Sequence, residues 1–350
     1  IMRIAMIIPS LSQTGPGIVA RDLCVEFVKL GHRCRIFYFD EKYGLDLPCD
    51  SQKIGFTGKG IDFKEWDIIH THGYRPDAYV YRQRNKISKS SCKLVSTLHQ
   101  PIIVKELHKT YSYPKALIGS VLWHRNLSCH NNIAVLNHEV LQQLPITLRE
   151  KASIVFNGRS FKRNEIDVED KNLLTNIASQ YKIIGTNSQI IKRKGLEQII
   201  QALAHLPDFA FVAVGDGEEK QNLLRLAKTI NVSDRCFFLG YRKNSTDYLQ
   251  FYDIFLMCTR SEGFPLALIE AAAEGKSCVI SNIQILKDIM SDELVEFYNL
   301  DDIQSLVGSI IKASHDKEGK GVKLQEYYKS NLTSEAMAQR YINIYKSNGL

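Results

Sequence analysis

The sequence predicts an α/β protein made of two Rossmann-like domains with parallel sheets. Three observations predict it. Short apolar, β-rich runs alternate with segments of helical period, the alternation breaks at a polar stretch near residue 160 and then restarts, and 350 residues suit two cores of about 150 residues each better than one. Hydrophobic content of 44% beside 24% charged residues supplies two ordinary cores and argues against disorder.

Residues 3–8 form an apolar run too short for a signal peptide and lacking a small-residue cleavage site after it, so they read as a first buried strand. Val19, Leu23, Phe27 and Leu30 then fall at helical spacing, Gly31 is placed to cap that helix, and residues 34–39 give the next strand, one βαβ unit. Residues 67–70, 93–97, 133–136 and 154–156 continue the strands up to Asn157-Gly158, read as a turn. The polar stretch 159–170 carries mixed charge and suits a linker.

Beyond it come a strand at 182–185, a helix with Leu196, Ile199, Ile200 and Leu203 on one face, a strand at 209–214 and a helix at 218–229. Strands at 236–239, 254–258 and 277–281 follow, with a helix at 265–274 between the last two. Asp301 is placed to cap an amphipathic helix marked by Ile303, Leu306, Val307, Ile310 and Ile311. The domains are expected at 1–160 and 161–332, with a terminal helix in 333–350 folding back across the first.

The eight cysteines are scattered without a C-x-x-C pair or a zinc-finger spacing, which favours reduced thiols in the cytoplasm and no structural metal. No stretch approaches the roughly 18 to 20 apolar residues of a membrane span. A net charge of +7 suits nucleic acid, anionic lipid or phosphorylated substrates, or solubility alone, without choosing among them.

The chemistry concentrates in Ser261-Glu262-Gly263-Phe264-Pro265-Leu266-Ala267-Leu268-Ile269-Glu270. This run follows a strand, offers glycine for close backbone approach, and puts Pro265 at the first turn of a helix. Such a strand-to-helix turn presents N–H groups and a positive dipole end to a phosphate. On a continuous helix Glu262 and Glu270 would stand about 12 Å apart, too far for a glycosidase acid and nucleophile. They suit two grips on one long ligand, or a solvated loop residue and a surface helix position.

The run resembles the E-x7-E signature of a family of retaining glycosyltransferases, family 4 among the group 1 glycosyl transferases, which have the GT-B fold: two Rossmann-like domains whose parallel sheets face across a cleft. Other marks of that family occur in order: a glycine loop after the first strand, D-I-I-H-T-H, T-L-H-Q, F-N-G, K-G-L, V-G-D-G-E and F-L-G-Y. The first domain would then bind the acceptor and the second the nucleotide-sugar donor.

The resemblance implies that Glu270 binds the ribose hydroxyls and that Glu262 supports positive charge on the transferred sugar, with backbone at Gly263, Phe264, Pro265 and Leu266 facing sugar and diphosphate. Lys194 corresponds to the lysine that neutralises the diphosphate. The family's arginine six positions earlier is replaced by Ser188, which leaves Arg193 or Lys192 as the second cation. Gly215 and Gly240 lie where backbone meets the nucleotide. Gly15 corresponds to the second glycine of the first-domain loop, the first being replaced by Thr14. His99 corresponds to a histidine near the donor sugar, while His70 and His72 read as structural or acceptor-lining.

The implied reaction needs no metal or other cofactor. The co-substrate would be a UDP- or GDP-linked sugar, and the acceptor a glycan or a polyprenyl-diphosphate-linked glycan in bacterial cell-surface polysaccharide synthesis, of lipopolysaccharide, capsule or exopolysaccharide. Residues 74–93 carry Arg75, Arg82, Arg84, Lys86, Lys89 and Lys93 among tyrosines, and 105–115 add Lys105, His108, Lys109, Tyr111, Tyr113 and Lys115. This basic, aromatic surface suits peripheral contact with an anionic inner membrane from the cytoplasm, or a solvated helix face. No nucleic-acid-binding module is recognised. Two rivals share the architecture or the binding: a nucleotide-sugar 2-epimerase, and a non-catalytic protein that binds sugar nucleotides or glycans.

Overall fold

A computed structural model describes residues 1–57, 60–108, 111–317 and 319–347. The chain forms two compact units, one of residues 1–160 joined by the segment from Leu332 onward, the other Phe161–Asn331. Unit 1 holds a parallel sheet of β1 (Arg3–Ser10), β2 (Arg33–Asp40), β3 (Ser51–Lys53), β4 (Ile68–His72), β5 (Lys93–Leu98), β6 (Asn132–Val135) and β7 (Ala152–Ile154), in the order β3-β2-β1-β4-β5-β6-β7. Unit 2 holds β8 (Lys182–Asn187), β9 (Phe209–Val214), β10 (Cys236–Gly240), β11 (Ile254–Met257), β12 (Ser277–Ser281) and β13 (Glu296–Tyr298), in the order β10-β9-β8-β11-β12-β13. Every strand pair is parallel.

The central strands are continuous apolar runs because both faces are covered. Ile4 to Ile8 of β1 and the whole of β9 are buried. In unit 2, Ile199, Ile200 and Leu203 of the helix Glu197–Leu203 pack with Leu306 and Ile310 of the helix Ile303–His315 against strand residues such as Phe211 and Leu256. Each sheet has one place where successive strands run outward in opposite directions, between β1 and β4 and between β8 and β11. Loops at the carboxyl ends of strands diverge there and leave a crevice.

Several expected boundaries differ. The helix expected at 218–229 starts at Lys220. Pro265 stands at the N-cap, outside the helix Leu266–Ala273 rather than in its first turn. The cap of Ile303–His315 is Asp302, whose carboxylate accepts from Ser305 N at 3.0 Å; Asp301 adopts a positive φ and is used elsewhere. The linker is shorter than 159–170, because Asp167 caps a helix Val168–Ala178 in which Asp170 is buried and paired with Arg242. Gly15 and Gly17 lie inside the helix Gly15–Lys29, which Thr14 caps. Gly31, at φ +81, follows the end of that helix in the left-handed conformation glycine favours. The short edge strands β3 and β13 had no alternating or apolar pattern to betray them.

Asn157-Gly158 is a close approach of chain rather than a turn: a Cβ on Gly158 would lie 2.0 Å from Thr333 O. The helix Ser334–Lys346 seats on unit 1 beyond that point. Its Tyr341 and Tyr345 are buried, with hydroxyls 2.7 Å from Thr97 Oγ1 and His70 Nδ1 respectively. Ser334 Oγ donates to Glu26 at 2.9 Å, and Lys93 Nζ to Ile344 O at 2.8 Å.

Candidate active site

In unit 2 the loops after β8 and β11 meet. A single 3₁₀ turn, Lys192–Lys194, follows β8 and is closed by Gly195 at φ +65; a Cβ there would fall 2.3 Å from Cys258 O. That contact fixes the turn against the end of β11 and aims Lys194 across the divide. Lys194 Nζ donates to Glu262 Oε1 at 2.5 Å, and Arg193 Nη1 lies 3.5 Å from Oε2. Arg193 also donates to Ser261 O. The Glu262 side chain is 7% exposed and Lys194 15%, so their charges are largely withdrawn from water, whereas Arg193 is 41% exposed. Glu262 is therefore not the solvated loop residue of the alternative reading. Glu270, 4% exposed on the inner side of Leu266–Ala273, is not a surface position.

A support that sequence patterns did not reveal holds these loops. Gln198 donates to Gly195 O at 3.2 Å and Cys258 O at 3.3 Å, and its Oε1 accepts from Tyr298 Oη at 3.1 Å and Asp301 N at 2.9 Å. Arg260 donates to Glu197 at 2.6 Å, to Lys192 O at 3.1 Å and to Asp301. A buried glutamine in a helix and an arginine after a strand carry no local signature; only the register between β8 and β11 makes them partners.

Gly215 and Gly240 sit together at the ends of β9 and β10, where Gly215 N donates to Gly240 O at 2.9 Å. Gly215 has φ +142, and a Cβ there would lie 1.9 Å from Ser188 O. The packing of the β8 loop thus demands a glycine at 215 whether or not a ligand does. Ser188 itself brings no charge, and its hydroxyl donates to Gln189 O at 3.2 Å. Among the expected site residues, the structure brings Lys194, Arg193 and Glu262 into contact. Gly263, Phe264 and Pro265 form the connection from Glu262 to the helix that carries Leu266 and Glu270.

Unit 1 has its own crevice. Pro9, Pro16, His72, Tyr74, His99 and Trp123 line a cavity of about 580 Å³ at the carboxyl ends of β1, β4 and β5. Apart from its chain neighbours and the backbone of its own helix, nothing in unit 1 comes within 4 Å of where a Cβ on Gly15 would stand, so the space beside Gly15 is open. His72 Nδ1 and His99 Nε2 lie 2.8 Å apart with their rings stacked at 5.1 Å. Burial pushes the His99 imidazole down to about 3 and that of His72 well below its usual range, so both are neutral at pH 7. His70 is fully engaged, between Tyr345 and Thr97 Oγ1 at 2.7 Å each, and is structural. Beneath the cavity Asp77 accepts from Thr71 Oγ1 at 2.5 Å, Ser96 Oγ at 2.9 Å and Trp123 Nε1 at 2.8 Å, while burial raises its carboxyl to about 6.

The basic, aromatic stretches divide in two. In 74–93 most groups are spent within unit 1: Tyr79 is buried, Arg75 pairs with Asp40 at 2.6 Å, and Arg82 and Arg84 lie over the rings of Phe56 and Tyr81. Around the helix Tyr113–Leu127, by contrast, Tyr111, Tyr113, Leu117, Ile118 and Val121 are exposed beside Lys105 and Lys115. Lys109 lies outside the described residues. Among those described, no helix is long and apolar enough to cross a membrane, and no three His, Cys, Asp or Glu side chains gather as a metal site.

Residues 167–333 match the family model described as glycosyl transferases group 1. The chain is 27% identical, over 99% of its length and 98% of the relative's, to the O-antigen biosynthesis glycosyltransferase WclY of Escherichia coli. It is 34% identical to the UDP-Gal:α-D-GlcNAc-diphosphoundecaprenol α-1,3-galactosyltransferase of Escherichia coli, covering 78% of this chain and 73% of that protein. Its structure resembles sucrose-phosphate synthase from Thermosynechococcus elongatus with a TM-score of 0.78 at 18% identity, covering 99% of this chain and 98% of that one. It also resembles Anabaena HepE in complex with UDP and glucose, with a TM-score of 0.79 at 14% identity, covering 99% of this chain and 100% of that one.

Proposed function

The chain belongs to the group 1 glycosyltransferases and has their GT-B-type pair of Rossmann-like domains, and from this premise we propose that it is a retaining, family 4 enzyme that moves a sugar from a nucleotide-sugar to a hydroxyl of a glycan or lipid-linked glycan. The observation that carries the reading is the meeting of Lys194 and Arg193 with Glu262 at the divide between β8 and β11, directly before the helix Leu266–Ala273. Departure of a nucleoside diphosphate builds negative charge on its phosphate oxygens and positive charge on the sugar. Lys194, Arg193 and the helix start oppose the first, and the Glu262 carboxylate opposes the second. Glu270 grips the ribose hydroxyls, Gly215 and Gly240 take the nucleotide against backbone, and Gly15 and His99 serve from unit 1.

The acceptor hydroxyl attacks the face that the diphosphate leaves. Its proton passes to the departing phosphate oxygen, so the sugar keeps its anomeric configuration without a dedicated protein base. Arg193 supplies the second cation that Ser188 does not. Fixed cations and the helix start do the work a metal would otherwise do, so no metal is required. The domain nearest the acceptor is 1–160 together with the terminal helix from residue 333, and the donor domain is 161–332.

The Escherichia coli relative's name supplies the pair to try first, UDP-galactose and an N-acetylglucosaminyl-diphospholipid. With O-antigen synthesis named for a second relative, we place the chain in surface-polysaccharide synthesis on the cytoplasmic side of the inner membrane. There the exposed Ile118 and Val121, beside Lys105 and Lys115, would rest on anionic lipid. A thermal-shift series with UDP-, GDP-, ADP- and dTDP-sugars, followed by transfer assays with the stabilising donor, tests the reading. Stabilisation by none of the four, or conversion of the donor to its 2-epimer without transfer, would reject it.

A further inference from the structure

His72 closes β4, lies in the cavity wall and is wholly buried. One of its nitrogens, Nδ1, is taken up by His99; the other, Nε2, is buried with no hydrogen-bond partner. Such an atom carries a standing penalty that a ligand can relieve. With both rings neutral, one proton lies between them. If His72 Nδ1 holds it, Nε2 is a bare acceptor; if His99 Nε2 holds it, His72 presents an Nε2–H donor. A hydroxyl, both donor and acceptor, satisfies either state. An anion satisfies only the second and an ammonium only the first.

The remaining wall narrows the ligand further. Leu122, Trp123 and Tyr74 make it apolar, and the Trp123 and Tyr74 rings meet edge-on at 5.5 Å. The indole is fixed from below by its 2.8 Å bond to Asp77, whose other oxygen is held by Thr71 and Ser96. A largely apolar wall that carries the neutral His72 and, elsewhere in its lining, Gln100 and Lys115 as further hydrogen-bonding groups matches a sugar ring, which has apolar C–H faces and a rim of hydroxyls.

We propose that this cavity binds a neutral sugar ring of the acceptor, that His72 is a specificity-determining residue whose Nε2 pairs with one ring hydroxyl, and that Asp77 is a positioning residue for Trp123. The assignment to the acceptor rests on the transferase reading; the binding of a neutral sugar does not. Calorimetry without any donor tests it, using octyl glucoside, octyl galactoside, octyl N-acetylglucosaminide, their monodeoxy analogues and octyl phosphate as probes.

At least one octyl glycoside should bind, and removing one particular hydroxyl should weaken it by about tenfold. His72→Phe should cost the parent glycoside that same factor and cost the deoxy analogue nothing more. Trp123→Phe should weaken parent and analogue equally, preserving the discrimination between them. Octyl phosphate binding more tightly than every glycoside, deoxy and His72→Phe losses that add, or indifference to every hydroxyl in the unaltered protein would each overturn the proposal. The last comparison needs no variant to fold. Glycoside binding that is intact in a protein inactive with every nucleotide-sugar would sink the transferase reading and leave this one standing.

Discussion

Glu262→Gln tests the charge arrangement with a predicted sign. Lys194 Nζ is 2.5 Å from Glu262 Oε1, and the two side chains are 15% and 7% exposed. At an effective dielectric of about 20 this contact amounts to about 7 kcal/mol of attraction before desolvation is subtracted. Lys194 is thus held in place but also largely neutralised, and a diphosphate must share it with a carboxylate. Gln keeps the shape and a hydrogen-bonding oxygen while removing the negative charge. A free nucleoside diphosphate should then bind about 5- to 30-fold tighter, which corresponds to about 1–2 kcal/mol. Turnover should fall by about a hundredfold, because support for the cationic sugar is lost only where charge develops. Calorimetry with the nucleoside diphosphate of the donor that most raises the melting temperature, beside kcat for that donor, reads both effects. Weaker nucleotide binding in the variant, or turnover unchanged, would refute the assignment of Lys194 to the diphosphate and Glu262 to the sugar.

Glu270→Ala should weaken donor binding by about 1.5–3 kcal/mol for each charge-assisted bond to ribose, and an unchanged dissociation constant would remove it from the site. Lys194→Ala should lower kcat more than donor affinity, and equal losses would mean simple ground-state binding. Transfer should survive EDTA; activity that vanishes with chelator and returns with Mg²⁺ would overturn the fixed-cation account. Acid should destabilise unit 1. His70 and His72 are held well below the usual imidazole range and His130 at about 3, so their contribution is complete above the unfolded pKa of about 6.5 and is lost as pH falls toward 3. Asp22 and Asp77, each raised to about 6, act in the opposite sense, but His99 at about 3 joins these three histidines against them. Denaturant midpoints that stay level from pH 7 to 4 would contradict this.

The α/β alternation was legible because buried parallel strands such as β1 and β9 must be apolar throughout, and helices such as Glu197–Leu203 must show one apolar face. The E-x7-E run was legible because both glutamates belong to one local strand-to-helix segment. The Lys194–Glu262 contact spans 68 positions and depends on β8 lying beside β11, a register that no local pattern encodes. The same holds for Gln198 and Arg260, which support that contact through Asp301. Asp301 looked like a helix cap because it precedes an amphipathic run by two residues, yet Asp302 caps and Asp301 bonds Gln198 through its backbone. His70 and His72 both read as structural or acceptor-lining, since composition cannot tell a histidine with two partners from one with a single partner and a bare nitrogen.

The anomeric configuration of the product measures most directly whether the chain is a retaining transferase. Incubation with the donor that most raises the melting temperature and its accepted glycan, followed by ¹H NMR of the purified product, reads the one-bond stereochemistry of the new linkage. An α-linked donor sugar should emerge α-linked, with release of one nucleoside diphosphate per bond formed. A β-linked product from the same donor would contradict attack on the leaving-group face, and with it the roles given to Glu262 and Lys194.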